Sequence, residues 1–315
     1  MKKNSSLFRR RLACRLLAPL LALLPSALPA ADLETAGTSL AFCLAGDMRS
    51  FTESPEPGKR FFDGAVEMMQ RIGPGQFLIS PGDFDPPAAN RAIIDRYLGS
   101  RFPWYVIVGN HEVENAAVMP WVRDWLAADI PGVVRRGLPG TKLTFYSFDV
   151  GDSHFVAIDS YPLAKPGNPG DKGRVDLTDA AFRWLEDDLA ATKKPLVWVI
   201  GHQPIESLPD MDSGRMRHQG ESVSFDPDRA ARFVTLLKQH RVLAYICGHT
   251  HNASVTKLEG GLWQLDSGHG RGGGDTGSPS TFLKVRISAG QAWVDVYRAD
   301  PTGMNYQLRQ TVALD

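Results

Sequence analysis

Cysteine is scarce in this sequence, with three in 315 residues. Three thiols cannot make a four-thiolate zinc site. Basic excess is absent as well, since 35 Lys and Arg face 35 Asp and Glu. A chain without a net positive face is a poor general binder of nucleic acid, which must neutralise phosphates. No apolar run reaches the ~20 residues that a membrane-spanning helix needs. The longest, Leu16 to Leu24, stops well short of that. There is no internal repeat, and Gly272 to Gly274 lack the spacing of a nucleotide-binding loop.

The composition that remains is that of a globular protein, 43% hydrophobic and 22% charged. The first thirty residues differ from the rest. Lys2, Lys3, Arg9, Arg10, Arg11 and Arg15 make a basic start, the apolar run follows, and Pro25 to Ala31 are mostly small. This order predicts a secretory signal peptide over residues 1–30 and an exported, periplasmic or secreted product. Cys14 precedes the apolar run, so it is not a lipid-attachment cysteine. Without the leader, 29 basic residues stand against 35 acidic ones, a net charge of −6. No composition break divides the remainder, so residues 31–315 are read as one domain with no transmembrane segment. Cys43 and Cys247 each lie in an apolar, strand-like run. Buried thiols are the favoured reading, and an oxidising compartment leaves a disulfide between them open.

Along that domain the pattern alternates. Strand-like runs at 40–45, 77–80, 104–108, 196–200 and 242–247 are separated by helical spacing at 61–72, 88–98, 118–128, 178–189 and 226–239. Thr144 to Val150 and His154 to Asp159 read as a hairpin turning at Gly151-Asp152. The chain then becomes strand-rich, at 254–257, 262–265, 282–287 and 292–297. Runs that are apolar throughout imply sheets covered on both faces. The expected fold is α/β, two stacked mixed sheets flanked by helices.

Five of the apolar strands end in a glycine followed by a polar residue. The ends are Gly46-Asp47, Gly82-Asp83, Gly109-Asn110-His111-Glu112, Gly201-His202 and Gly248-His249-Thr250-His251. Ligands of open α/β sheets gather at the carboxyl ends of strands. Carboxylate, amide oxygen and imidazole together suit borderline ions such as Mn, Fe or Zn. Two such ions about 3.5–4 Å apart could grip a phosphate and activate water.

In these motifs and their order the sequence resembles the calcineurin-like metallophosphoesterases, a family that includes the purple acid phosphatases. Gly-Asn-His-Glu and Gly-His-Thr-His are the specific parts, and the five motifs span Asp47 to His251. The resemblance implies that Asp83 bridges two metal ions. Asn110, His202 and His249 would complete one site, and Asp47 and His251 would belong to the other. His111 would stabilise the phosphoryl group or protonate the leaving oxygen, a task suited to a pKa near working pH. Water activated by the metals, as hydroxide, would attack the phosphorus of a small phosphorylated substrate.

One departure matters. Most of the family has Asp-x-His at the first motif, and here the triplet is Asp47-Met48-Arg49. Purple acid phosphatases supply a tyrosine three residues after the bridging Asp, and here that position is Pro86. An arginine cannot ligate a metal but can hold phosphate oxygens in its fork. Arg49 is therefore expected to bind substrate, and the Asp47-side metal site to be the weaker. Asp85 is a conceivable substitute ligand. Two alternatives stay open: a degenerate, non-catalytic metal or phosphate-binding protein, and a phosphoesterase with a single metal. Elsewhere, His154 is read as structural, His218 and His240 as surface residues, and Glu112 as orienting His111 or the backbone. His269 and Arg271 are weaker candidates for reaching the substrate.

Overall fold

The computed structural model describes residues 40–49, 61–128, 130–138, 143–161, 177–271 and 277–315. The expected signal peptide and the glycines at 272–274 lie outside the described residues.

Two mixed sheets stack face to face. The first has six strands: β1 (Leu40–Leu44), β2 (Leu78–Ser80), β3 (Trp104–Val106), β11 (Thr281–Ser288), β12 (Gln291–Ala299) and β13 (Tyr306–Leu314), in the order β13-β12-β11-β1-β2-β3. The second has seven: β4 (Val133–Arg136), β5 (Tyr146–Val150), β6 (Ser153–Ala157), β7 (Leu196–Ile200), β8 (Ala244–Cys247), β9 (Ala253–Lys257) and β10 (Trp263–Ser267), in the order β4-β5-β6-β7-β8-β10-β9. Among the described residues the helices are α1 (Phe61–Arg71), α2 (Pro87–Leu98), α3 (Asn110–Glu114), α4 (Val118–Ala127), α5 (Asp179–Ala191) and α6 (Pro227–Gln239). The sandwich expected from the sequence is the one observed.

Side chains alternate across each strand, and the inward set is aromatic. Phe42 meets Phe155 and Trp198 edge-on, at centroid distances of 5.3 and 5.6 Å, and Tyr105 stacks on Phe148 at 3.7 Å. Trp104, one residue before Tyr105, points the opposite way, to Trp121 and Trp125 of α4. On the second sheet, Val156, Val199 and Tyr245 turn outward into a separate apolar cluster with Trp184 and Leu185 of α5 and Phe233 and Leu237 of α6. Thr178 caps α5 by accepting from Ala181 N, and Asp226 caps α6 by accepting from Asp228 N and Arg229 N.

β1, β2 and β3 run parallel, as do β6, β7 and β8. The ends of β1, β2 and β3 in one sheet, and of β7 and β8 in the other, therefore share one edge of the sandwich. All five motifs follow those ends. The loops that carry them bond to one another, Asp47 N to Gly82 O at 3.1 Å and Gly248 N to His202 O at 3.0 Å.

The long segment from β7 to α6 is tied down by a buried arginine. Arg298 of β12 grips Asp210 with two bonds of 2.6 and 3.1 Å and reaches Asp212 at 3.0 Å. At the opposite end of β6, His154 lies between Asp149 (2.7 Å) and Asp188 (3.0 Å). Burial opposes its charge, but hydrogen bonds and charge from both aspartates win and raise its pKa. Cys43 and Cys247 are buried, with no disulfide between them, and Cys43 Sγ donates to Pro74 O at 3.4 Å. Among the described residues, no helix is long and apolar enough to cross a membrane.

Two outcomes are expected. Arg298→Ala leaves buried Asp210 without its cation and should cost about 3–5 kcal/mol in urea denaturation. A histidine with a raised folded pKa stabilises fully below its unfolded value of about 6.5, and this contribution fades as pH rises through the folded value. His154→Gln should therefore lose more stability at pH 5.5 than at pH 8.5, and equal losses at both would contradict the assignment.

Candidate metal centre

The site begins with strained backbone. Asp47, Asp83, His249 and His251 have φ of 49°, 55°, 70° and 59°. Non-glycine residues rarely occupy this left-handed region, and such strain concentrates at functional sites. The glycines before the motif residues allow close approach. A Cβ on Gly109 would collide with Asp83 Oδ1, and one on Gly248 with Asp47 Oδ2.

Glu112 clamps these turns. Its carboxylate accepts from Asp83 N, Phe84 N and Gly109 N, each at 2.8 Å. It acts on the backbone, the second of the two tasks expected of it. Burial first, and then the charge of Asp83, push its pKa well up.

Three side chains turn acceptor atoms toward one another. Asn110 Oδ1 lies 3.1 Å from His202 Nε2 and 3.2 Å from His249 Nδ1, and the two ring nitrogens are 3.3 Å apart. The bonds behind them fix which atoms face inward. His202 Nδ1 donates to Pro81 O at 2.7 Å, so Nε2 offers a lone pair. His249 Nε2 donates to Glu221 Oε2 at 2.5 Å, so Nδ1 does the same. Asn110 Nδ2 donates to Glu114 Oε1 at 3.2 Å, which leaves Oδ1 inward. Asp83 Oδ1 is 3.4 Å from His202 Nε2. Facing lone pairs repel unless a cation lies between them, and histidine ligands are commonly oriented by such outer partners. This donor set fits a metal ion.

The Asp47 side differs. Asp47 Oδ2 accepts from His249 N at 2.8 Å, and the buried Oδ1 lies 3.2 Å from His251 Nε2. His251 Nδ1, however, contacts Arg217 Nη1. Arginine only donates, so Nδ1 accepts and the proton sits on Nε2, facing Asp47. In this arrangement His251 presents an N–H, which does not fit a metal. Asp47, Asp83 and His202 still have donor atoms within 4.8 Å of one another.

The carboxylates repel each other. Burial, followed by the charge of Asp47, raises the Asp83 pKa well above the usual range. Burial acts on Asp47 in the same direction, but His251, His202 and His249 outweigh it and hold Asp47 well below that range.

Arg49 and Asp85 form a pair, with Nε donating to Oδ1 at 2.7 Å, and Arg49 Nη1 lies 2.9 Å from His111 Nε2. Asp85 is thus engaged by Arg49. Burial and then the Arg49 charge lower the His111 pKa to about 3, so its ring is neutral. The expected pKa near working pH is not what this environment produces.

All six metal candidates, with His111 and Arg49, come together at this edge. Other readings are corrected. His218 is not a surface residue. It is half-buried, 4.3 Å ring to ring from His249, and its Nδ1 is 2.8 Å from Glu221. His269 does not open onto the cleft. It is buried, with its nitrogens against Arg271 O and Ser278 O. Sequence reasoning missed Glu114, Arg217 and Glu221. Glu114 stands four residues after Asn110 on a helix, a spacing that could have found it. Arg217 and Glu221 sit on a loop with no periodic signal. A cleft of about 280 Å³ opens over the centre, lined by Asp83, Asn110, His111, Glu114, Gln203, Arg217, His218, Glu221, Phe225, His249 and His251.

The sequence profile of the calcineurin-like phosphoesterase family matches residues 41–253. The chain belongs to that family, and it is a metallophosphoesterase, a hydrolase of phosphoric esters. Tartrate-resistant acid phosphatase type 5 of Mus musculus is 26% identical over 259 residues, 74% of this chain and 72% of the relative. A dimetal phosphatase from Danio rerio superposes with a TM-score of 0.58 at 15% identity, covering 88% of this chain and 99% of that one. GAP50, the anchor in the inner membrane complex of Plasmodium, gives 0.57 at 16% identity, covering 88% and 89%. These two structures share the fold, although one is a phosphatase and the other an anchor.

Glu112→Ala should leave three buried N–H groups without acceptors. A loss of about 3 kcal/mol or more in urea denaturation is expected. A loss below 1 kcal/mol would contradict the clamp.

Proposed function

We propose that this chain is an exported hydrolase of small phosphate esters, with Asp83, Asn110, His202 and His249 as its firm metal site. The observation that carries the reading is the set of inward acceptor atoms on Asn110, His202 and His249 beside Asp83. Asp83 and Asp47 would hold a second, weaker ion, with His251 as a ligand only when its proton moves to Nδ1 and the Arg217 contact is given up. Bound Mn, Fe or Zn would supply charge to grip phosphate oxygens and to activate water.

The chain's own groups do the rest. Arg49 is aimed by Asp85 and contacts His111, and its guanidinium would hold a phosphate oxygen beside them. His111, neutral beside Arg49, would not act as a charged acid, and it would donate to the phosphoryl group only by exchanging its Arg49 contact for a proton on Nε2. Arg217 lines the same cleft and is a further donor to an anionic substrate. Glu221 and Glu114 keep the acceptor atoms of His249 and Asn110 inward. The basic, apolar and small-residue order of the first thirty residues supports export.

A second reading, one ion per chain, is favoured by the contact of Arg217 with His251 Nδ1 and by Arg49 at the first motif. The amount of tightly bound metal per chain separates the two.

The test is hydrolysis of generic phosphate mono- and diesters by the manganese-loaded chain. His111→Ala and Asn110→Ala should each lower kcat/KM about a hundredfold or more. Full activity in either variant would sink the assignment. Bound metal without turnover would favour the non-catalytic binding protein. N-terminal sequencing of the exported product tests the leader, and an intact residue 1 there would refute its cleavage.

A further inference from the structure

The cleft over the metal centre has a single apolar lining residue among those described, Phe225. Its ring is 60% exposed, and it is the only aromatic among the exposed large apolar side chains of the described residues. The backbone around it is held on both sides. Val223 is fully buried in the cluster beneath α5 and α6, and Ser222 Oγ donates to Ile205 O at 2.8 Å. Ser224 is buried and accepts from Asp226 N, and Asp226 caps α6. The phenyl ring is therefore presented by anchored neighbours at the outer rim of a cleft whose inner wall is polar.

We infer that Phe225 is a specificity-determining residue that stacks on a planar aromatic group of the substrate, so that the preferred substrates are aryl or nucleoside phosphates. The inference rests on the phosphate-ester reading of the same cleft. At about 280 Å³ the cleft lies at the small end of small-molecule pockets, which suits a phosphoryl group and one ring. A phenyl side chain offers a rigid face that costs little conformational entropy to use, and a flat partner covers it better than an aliphatic one. Water is a poor solvent for that face, and the bound ring would cover it.

The test measures binding and so does not depend on turnover. Phenylphosphonate and methylphosphonate, which carry the same head group and resist hydrolysis, are titrated into the manganese-loaded full chain by calorimetry. The unsubstituted protein should bind the phenyl compound about tenfold more tightly, the size expected of one stacked ring. Phe225→Ala should make the two phosphonates equal, and Phe225→Trp should keep the preference. Competition by adenosine 5′-phosphate against ribose 5-phosphate, and by phenyl phosphate against glycerol 2-phosphate, tells a nucleobase from an attached aryl group. A preference in either pair supports the inference. Equal phosphonate affinities in the unsubstituted protein, or a preference that survives Phe225→Ala, overturns it and leaves the phosphate reading standing. If neither phosphonate binds, both fall together.

Discussion

The arrangement depends on one unfavourable contact. An amide oxygen and two imidazole nitrogens, each fixed from behind, point their lone pairs at one another within 3.3 Å. No rotation of a single ring relieves this without breaking an outer bond to Pro81, Glu221 or Glu114. Nearby, Asp83 adds a carboxylate to the same cluster. The fold has built a cation site by making the alternative costly, and the two sheets hold its parts on separate strands that cannot drift apart independently.

Holding that contact requires strain in the backbone. Four of the six candidate ligands occupy left-handed conformations, and glycines beside them admit carboxylates to the main chain. Glu112 offsets part of the cost by accepting three backbone N–H groups at once. A buried carboxylate bonded to turns in this way explains why an acid follows the Asn-His pair even though it faces away from the metal.

Much of this was legible in the sequence because it rests on local patterns. Apolar strands of parallel sheets read as continuous runs, and a glycine with a polar residue at their ends marks the functional rim. The helical spacing over 178–189 likewise matches α5, which Thr178 caps. Two of the four edge strands were not legible. β13 exposes most of its side chains and β4 is short and partly exposed, so neither carries a buried apolar alternation. The outer half of the centre was hidden for a different reason. Arg217, His218 and Glu221 reach the site on an irregular segment positioned by the Arg298–Asp210 pair, and such a contact has no sequence period. Arg49 was visible as a departure from the family pattern, but its pairing with Asp85 depends on two loops meeting in space.

The strand order also bears on how the chain reaches this state. β1 lies inside the first sheet, between β2 and β11. Its parallel neighbour comes early in the chain, while its antiparallel neighbour comes near the end. A growing or truncated chain that stops before β11 would present the apolar backbone edge of β1 to any other strand it met. Pairings between distant parts of a sequence form slowly and leave such edges open longer. The β1–β11 pairing that completes this sheet thus cannot form until the chain has reached residue 281.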